Sequence, residues 1–385
     1  SVLLVNSSFS GESCTMSRWL GLAPLLFVMA AAAAAADVVK TAVFTSGEEG
    51  YHTFRIPSLI TTPNGTLLAI CEGRKSSRAD HGDIDLVLKR STDGGKTWSA
   101  LERIYEEGGD AAVTIGNPCP VIDQSTGTIW LPFTRDNDGV FVTHSTDDGR
   151  TWSTPVHITA AVKEPDWTWY ATGPGVGIQL TLGPHTGRLV IPCDHRVPGP
   201  RDPKITGRSH VIYSDDHGRT WQLGEPTELA MNECQVVQRA DGTLLLNMRS
   251  YRGRGCRAVS ISDDGGETWS DCRDAPALID PVCQASFLRD APPGEDGSDK
   301  QRLLFSNPAS TSSRHRLTVR MSLDDGRSWP ISRLLHEGPA AYSCLTVLPD
   351  GDIGCLYEAG EKSPYETLTF ARFSPAWLEA EPADP

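Results

Sequence analysis

Ionisable and phenolic side chains recur at fixed distances from the glycines of short apolar hairpins in this chain. Arg55 stands ten residues before Gly65, and Glu233 and Tyr342 stand nine before Gly242 and Gly351. Seven residues after the hairpin glycines come Glu72, Thr134, Asp194, Arg249 and Glu358; Arg74, Asp80 and Asp83 follow the first hairpin, and Arg314 opens a later strand. Any one of these charges alone reads as a solvated rim residue. Their shared register instead gathers them at one place. Arginines arriving from separate parts of a chain form forks that fit a planar anion, and a carboxylate is the natural match. A Tyr, a Glu and an Asp beside such a clamp supply the groups for acid/base and nucleophilic work on an anionic substrate.

The register exists because the chain repeats. The octet S-x-D-x-G-x-[TS]-W starts at Ser91, Ser145, Ser214, Ser262 and Ser322, each time after a strand-like run such as residues 84–90 or 316–321. Its Asp and Gly suit a tight turn, and its Trp is expected to start the returning strand, so each octet predicts a hairpin. A second repeat, a Gly turn followed by a short apolar strand, begins at Asn64, Thr126, Thr186, Asp241 and Asp350, with a degenerate sixth copy at Gln301. The octets lie 54, 69, 48 and 60 residues apart. A mean of about 58 fits six units into the chain from Asp37 onward. Four short antiparallel strands per unit predict an all-β, six-bladed β-propeller of four-stranded sheets. With strands counted outward from the channel, the Gly turns join the first and second and the octets join the third and fourth. Both turn types then share one end. The starts of first strands and the ends of second strands meet at the opposite mouth, which sets Glu233 beside Arg249 and Tyr342 beside Glu358.

The 385 residues carry 49 Asp plus Glu against 35 Lys plus Arg, a net charge of −14, which argues against a general nucleic-acid or anionic-membrane binder. Gly 36, Pro 27 and Trp 10 fit many turns and short strands better than long helices. From Met16, one Arg precedes an apolar run from Leu20 that ends in an Ala tract at Ala36, the pattern of a secretory signal peptide. Residues 1–36 are therefore expected to be a leader cleaved near Ala36. Export to a secreted, periplasmic or lumenal location is expected in preference to an N-terminal anchor, and residues 1–15 read as an over-extended start. Residues 37–385 read as one catalytic propeller with no appended lectin module. Beyond Cys14 in the leader stand nine Cys without a C-x-x-C pair, which argues against zinc ribbons and thioredoxin-like chemistry; an odd number leaves at least one free or paired between chains. His81, His195 and His315 lack metal-ligand spacing, so no metal and no cofactor is expected. Asn64-Gly-Thr forms a glycosylation acceptor in a eukaryotic secretory pathway.

Phe54-Arg55-Ile56-Pro57, the five Asp-box octets and the spaced Arg, Glu and Tyr together resemble the exo-alpha-sialidases (neuraminidases) of the bacterial and lysosomal kind, from Asp37 to about Trp377. The resemblance implies removal of terminal sialic acid with retention of configuration. It casts Arg55, Arg249 and Arg314 as the clamp on the sugar carboxylate, Tyr342 as nucleophile, Glu233 as the group that withdraws its proton, and Asp80 as acid/base. Glu358 is cast as the carboxylate that buttresses Arg55, and Arg74 as the residue that approaches the ring substituents. Arg316 and Arg320 are alternatives to Arg314, and Asp83 and Asp85 to Asp80. Sialylated glycoproteins, glycolipids or oligosaccharides are the implied substrates, with no nucleic acid and no obligatory protein partner. A competing reading is a catalytically silent Asp-box propeller that binds sialylated glycans; the joint presence of Tyr342, Glu233 and Asp80 with the clamp separates the two. A trans-sialidase shares every catalytic residue. Trp167, Trp169 and Tyr170 read either as a hydrophobic wall for the sugar or aglycone or as core. An acidic to mildly acidic pH optimum is expected.

Overall fold

In the computed structural model, which describes residues 3, 4, 11, 38–290 and 301–380, the apolar runs between turn motifs form antiparallel strands. Two compact units are present, Ser1–Ala34 and Ala35–Pro385, and every element below belongs to the second. The expected leader run from Leu20 to Ala36 and its cleavage point lie outside the described residues. Among the described residues, no helix is long and apolar enough to cross a membrane.

The strands make five antiparallel sheets, two of four strands, two of five and one of seven. In the first sheet Thr53–Thr61 pairs with Leu67–Arg74, and in the fourth Met231–Gln238 pairs with Leu244–Ser250. Split inner strands account for the five-stranded sheets: Ile115–Gly116 and Val121–Asp123 share Thr128–Arg135, and Trp169–Thr172 and Ile178–Gln179 share Leu189–Arg196. The seven-stranded sheet arises because one 17-residue strand, Ile331–Val347, serves two partners. Its first part, through Pro339, pairs with His315–Ser322, and its second part, from Ala340, pairs with Ile353–Ala359. Val39–Thr45 completes that sheet by pairing with Thr367–Phe373, so the opening strand covers the edge left by the last. Consecutive sheets touch in sequence order, and Thr53–Thr61 lies against Ile331–Val347, which closes the series into a ring.

Sheets flanked on both faces bury both faces of their strands. Leu67–Arg74 is buried at all eight positions, which is why it reads as a near-continuous apolar run without alternation. The octets explain how neighbouring sheets are spaced. In each, the octet Ser and Asp fold the turn on themselves, and the octet Gly sits at positive φ with its α-carbon against the preceding sheet. A β-carbon on Gly149 would fall 2.7 Å from Leu68, and one on Gly95 would fall 2.0 Å from Phe370 of the last sheet. Glycine is therefore required twice, by backbone conformation and by contact. One sequence expectation is corrected here. The octet Trp does not start the returning strand, which begins one to four residues later, as at Glu102 after Trp98 and Gln222 after Trp221. The intervening residues let the indole pack inward, as Trp98 does edge-on to Phe370 at 5.4 Å. All nine Cys from Cys71 to Cys355 are free and buried.

Candidate active site

Three inner strands become irregular at the same end of the ring, and each irregularity falls at a residue with chemical capacity. Pairing slips between Arg55 and Ser58, between Met231 and Cys234 around Glu233, and between Ala340 and Ser343 around Tyr342. A bulge of this kind re-aims a side chain. At Arg55 the distortion places Ile56 at φ 60°, a costly conformation for a β-branched residue. Glu233 and Tyr342 line a cavity of about 470 Å³ whose walls also include Ile56, Arg74, Asp80 and Arg249.

Tyr342 is at the centre. Its hydroxyl donates to Glu233 Oε1 at 2.5 Å and accepts from Arg249 Nη1 at 3.2 Å, and the same Nη1 donates to Glu233 Oε2 at 2.7 Å. The guanidinium carbons of Arg55 and Arg314 lie 5.1 and 5.5 Å from the Tyr342 ring centroid. Arg55 is held by Glu358, a fully buried carboxylate that accepts Arg55 Nε at 2.9 Å, Arg55 Nη2 at 3.4 Å, and the backbone N–H groups of Ile56 and Tyr342 at 3.1 Å each. The strained Ile56 backbone is thus paired to the same anion that fixes the arginine. Arg74 is anchored on Glu72 through Nε at 3.0 Å and Nη2 at 2.6 Å. Asp80 bridges two cations, accepting Arg55 Nη1 at 3.0 Å and Arg74 Nη1 at 2.7 Å, while its side chain stays largely exposed at 79%.

These surroundings set opposite protonation tendencies. Burial, followed by the Glu233 carboxylate, pushes the Tyr342 phenol well above its ordinary range, against the pull of Arg249, Arg314 and Arg55. The phenol is therefore neutral, with its proton already directed at Glu233. Asp80 behaves the other way. Partial desolvation at the mouth raises its carboxyl even though the side chain is exposed, but Arg55 and then Arg74 outweigh that and hold it below the usual carboxylate range. Asp194, fully buried behind Glu233 and hydrogen-bonded by Asn232 Nδ2, is driven well upward by burial and then by Glu233.

The remaining sequence candidates separate by position. Arg316 pairs at the surface with Glu337 and Arg320 donates to Asn307, so of the three arginines on that segment Arg314 is the one beside Tyr342. Asp85 is buried under the Tyr51 hydroxyl at 2.6 Å, and Asp83 lies at the edge of the loop. Tyr342 meets Glu358 through its backbone N–H, while its phenol turns to Glu233. Trp167 and Tyr170 are core: Trp167 stacks on His195 at 3.3 Å, and Tyr170 is fully buried. Trp169 faces the cavity, as does His81. Sequence reasoning missed Tyr365. Its ring lies 4.3 Å from the Arg55 guanidinium carbon and its hydroxyl accepts Arg314 Nη1 at 2.9 Å, so one side chain touches two of the three arginines around Tyr342. Its signal was a tyrosine seven residues beyond Glu358, in a loop without strand register.

Comparison with known proteins places this arrangement. Residues 65–355 match the family described as a BNR repeat-like domain. A sialidase of Micromonospora viridifaciens is 37% identical over 354 residues, covering 86% of this chain and 53% of that protein. An exo-alpha-sialidase of Aspergillus fumigatus is 33% identical over 378 residues, 86% of either chain. The solved structure of Hadza microbial sialidase Hz136 matches with a TM-score of 0.79 at 33% identity, over 88% of this chain and 69% of that one. This chain thus spans about half the length of the Micromonospora relative.

Proposed function

The chain belongs to the sialidase family, and from that membership we propose that it is a retaining exo-alpha-sialidase acting on sialylated glycoproteins, glycolipids or oligosaccharides. The scaffold in this reading is a six-bladed β-propeller. Five sheets supply six four-stranded blades when Ile331–Val347 is counted as the outer strand of one blade and the inner strand of the next. Export after cleavage near Ala36 belongs to the same reading and rests on the leader sequence alone.

The observation that carries the proposal is Tyr342 with its hydroxyl 2.5 Å from Glu233 and 3.2 Å from Arg249, flanked by Arg55 and Arg314. Sialic acid bears its carboxylate on the anomeric carbon. A carboxylate nucleophile would approach against like charge, whereas a neutral phenol does not. Arg55, Arg249 and Arg314 fix the substrate carboxylate. As the Tyr342 oxygen bonds to the anomeric carbon, its proton passes to Glu233, and Asp80 protonates the departing glycosidic oxygen. Water activated by Asp80 then displaces Tyr342, which regains its proton from Glu233. Two inversions give net retention. Before the first step Asp80 must gain a proton. The substrate carboxylate supplies the means by drawing Arg55 away from Asp80, which removes the largest influence that keeps Asp80 ionised.

The test is hydrolysis of a fluorogenic sialoside by wild type, Tyr342→Phe and Arg249→Ala. The expected outcome is turnover by wild type and a loss of about a thousandfold or more in kcat for Tyr342→Phe. Undiminished turnover in the two variants would sink the site assignment, and wild type that binds sialic acid without cleaving its glycosides would favour the silent binder.

A further inference from the structure

A second cavity, of about 330 Å³, opens beside the catalytic one, and the two share Trp169 and Arg196 as a common wall. These residues are cross-strand partners, and the Arg196 guanidinium carbon lies 5.0 Å from the Trp169 ring centroid. Among the described residues the Arg196 side chain makes no hydrogen bond or ion pair, and its Nε is buried without a partner. Arg201 adds a second positive charge to the lining, which otherwise includes Thr168, Pro200 and Thr206 and contains no Asp or Glu.

The contrast with the catalytic cavity is one of charge balance. There, Arg74 is neutralised by Glu72 and Arg249 by Glu233. Here two guanidinium groups face a cavity that supplies no anion. A guanidinium stacked on an aromatic face keeps its in-plane N–H groups available, and a buried donor without an acceptor is costly until a ligand provides one. Because the two spaces share that wall, a ligand held in the catalytic site can extend a second group past Trp169 into this cavity.

We propose that the side cavity is a subsite for a second anionic group, a carboxylate or sulfate, that the same substrate carries in addition to the carboxylate held by the clamp. Trp169 is the platform between the two positions, and Arg196 and Arg201 receive the second anion. The inference rests on the sialidase reading and specifies its substrate class as doubly anionic sialosides. The second charge has two chemical sources: a further sialic acid in the leaving saccharide, or a sulfate on the reacting sugar itself.

Three substrates at fixed ionic strength distinguish these sources: sialyllactose with one anion, an α2,8-linked disialyl-lactose, and sialyllactose sulfated on the sialic acid. The expected result is that kcat/KM for at least one doubly anionic substrate exceeds that for sialyllactose by about tenfold. Arg201→Gln is expected to abolish that advantage and leave sialyllactose turnover as in wild type. Arg196→Lys, which keeps the charge and loses the fork, is expected to retain part of it. The substrate showing the advantage identifies the source. Wild type that hydrolyses sialyllactose without preferring either doubly anionic substrate overturns the subsite alone, as does an advantage that survives in Arg201→Gln. Wild type inactive on all three overturns the sialidase reading and the subsite with it.

Discussion

The two ends of the ring use their carboxylates in different ways. At the turn end the Asp at the third position of each octet is satisfied by its own turn. Asp147 accepts the N–H groups of Arg150 and Thr151 at 3.1 and 2.8 Å and the Thr151 hydroxyl at 2.6 Å, and bonds to Thr151 foremost hold its carboxyl at about 2. At the mouth two carboxylates join separate sheets. Glu358 holds Arg55 from 303 residues away, and Glu233 receives the phenol of Tyr342 from 109 residues away. The core of each octet turn is thus built from contacts that a short peptide segment can encode, and its Gly sets the contact with the preceding sheet. The mouth exists only after the ring closes. Substitutions at the turns should therefore cost stability at constant kcat, and substitutions at the mouth should cost activity at nearly constant stability.

The largest test of that division is Asp80, exposed at the mouth and paired with two arginines. Asp80→Asn is expected to lower kcat for sialyllactose by about 10²- to 10⁴-fold, the usual worth of a general acid, with little change in melting temperature. The loss should be much smaller for an aryl sialoside, whose phenolic leaving group needs less protonation. The pH dependence sharpens the point. Arg55 and Arg74 hold Asp80 below the carboxylate range, so the protonated form that the proposed mechanism requires is lost early as pH rises. kcat/KM reports the free enzyme and kcat the bound one. With Arg55 engaged by substrate, the basic limb of kcat should lie at higher pH than that of kcat/KM. Coincident limbs would show that the substrate carboxylate does not relieve Asp80.

A smaller effect is expected at Tyr365, which touches Arg55 and Arg314 of the proposed clamp. Tyr365→Phe keeps the ring beneath Arg55 and deletes the hydrogen bond from Arg314. Loss of one hydrogen bond to a charged group predicts a rise in KM of about tenfold with kcat little changed, because the clamp acts on ground state and transition state alike. Tyr365→Leu, which also removes the stacking surface, should raise KM further. A fall in kcat at constant KM would instead place Tyr365 in the chemistry of Tyr342.

The same division explains what could be read from sequence. The five octets were legible because Ser, Asp, Gly and a Thr or Ser complete each turn within eight residues, leaving a local pattern that repeats. The convergence of Arg55, Glu233, Arg249, Tyr342 and Glu358 was legible because strand length from a turn Gly fixes which residue reaches the far end. Tyr365 was not, since its loop is shaped by the Glu366 carboxylate, which accepts the N–H groups of Glu361, Lys362 and Ser363, and no strand register extends through it. The split inner strands and the strand shared by two partners were equally hidden, because pairing partners rather than composition decide where Ile331–Val347 changes neighbours. The bulges at Arg55, Glu233 and Tyr342 escaped for a related reason. Ile56 at positive φ contradicts local preference, and it is held there by a carboxylate more than 300 residues away.

The smallest expected effect comes from Asp147→Ala, and it tests the other half of the comparison. The substitution leaves the exposed Arg150 and Thr151 N–H groups and the Thr151 hydroxyl to water and takes one acceptor from the buried Ser145 hydroxyl, which still accepts the Gly149 N–H, so the cost should be about 1 kcal/mol. Its pH dependence has a definite sign. The folded-state carboxyl sits at about 2, below the unfolded value near 3.9 for an ordinary Asp, so its stabilising contribution is complete above the unfolded pKa and is lost as pH falls toward 2. Wild type and Asp147→Ala should therefore differ in urea midpoint at pH 6 and converge near pH 2, with equal kcat and KM wherever the enzyme is folded. The turn seats Gly149 against Leu68 of the preceding sheet, so a cost much above 1 kcal/mol would mean that the Asp also sets that inter-sheet contact. Lost activity at an unchanged urea midpoint would show instead that the turn end communicates with the mouth through the sheets, and the separation of roles between the two ends would fail.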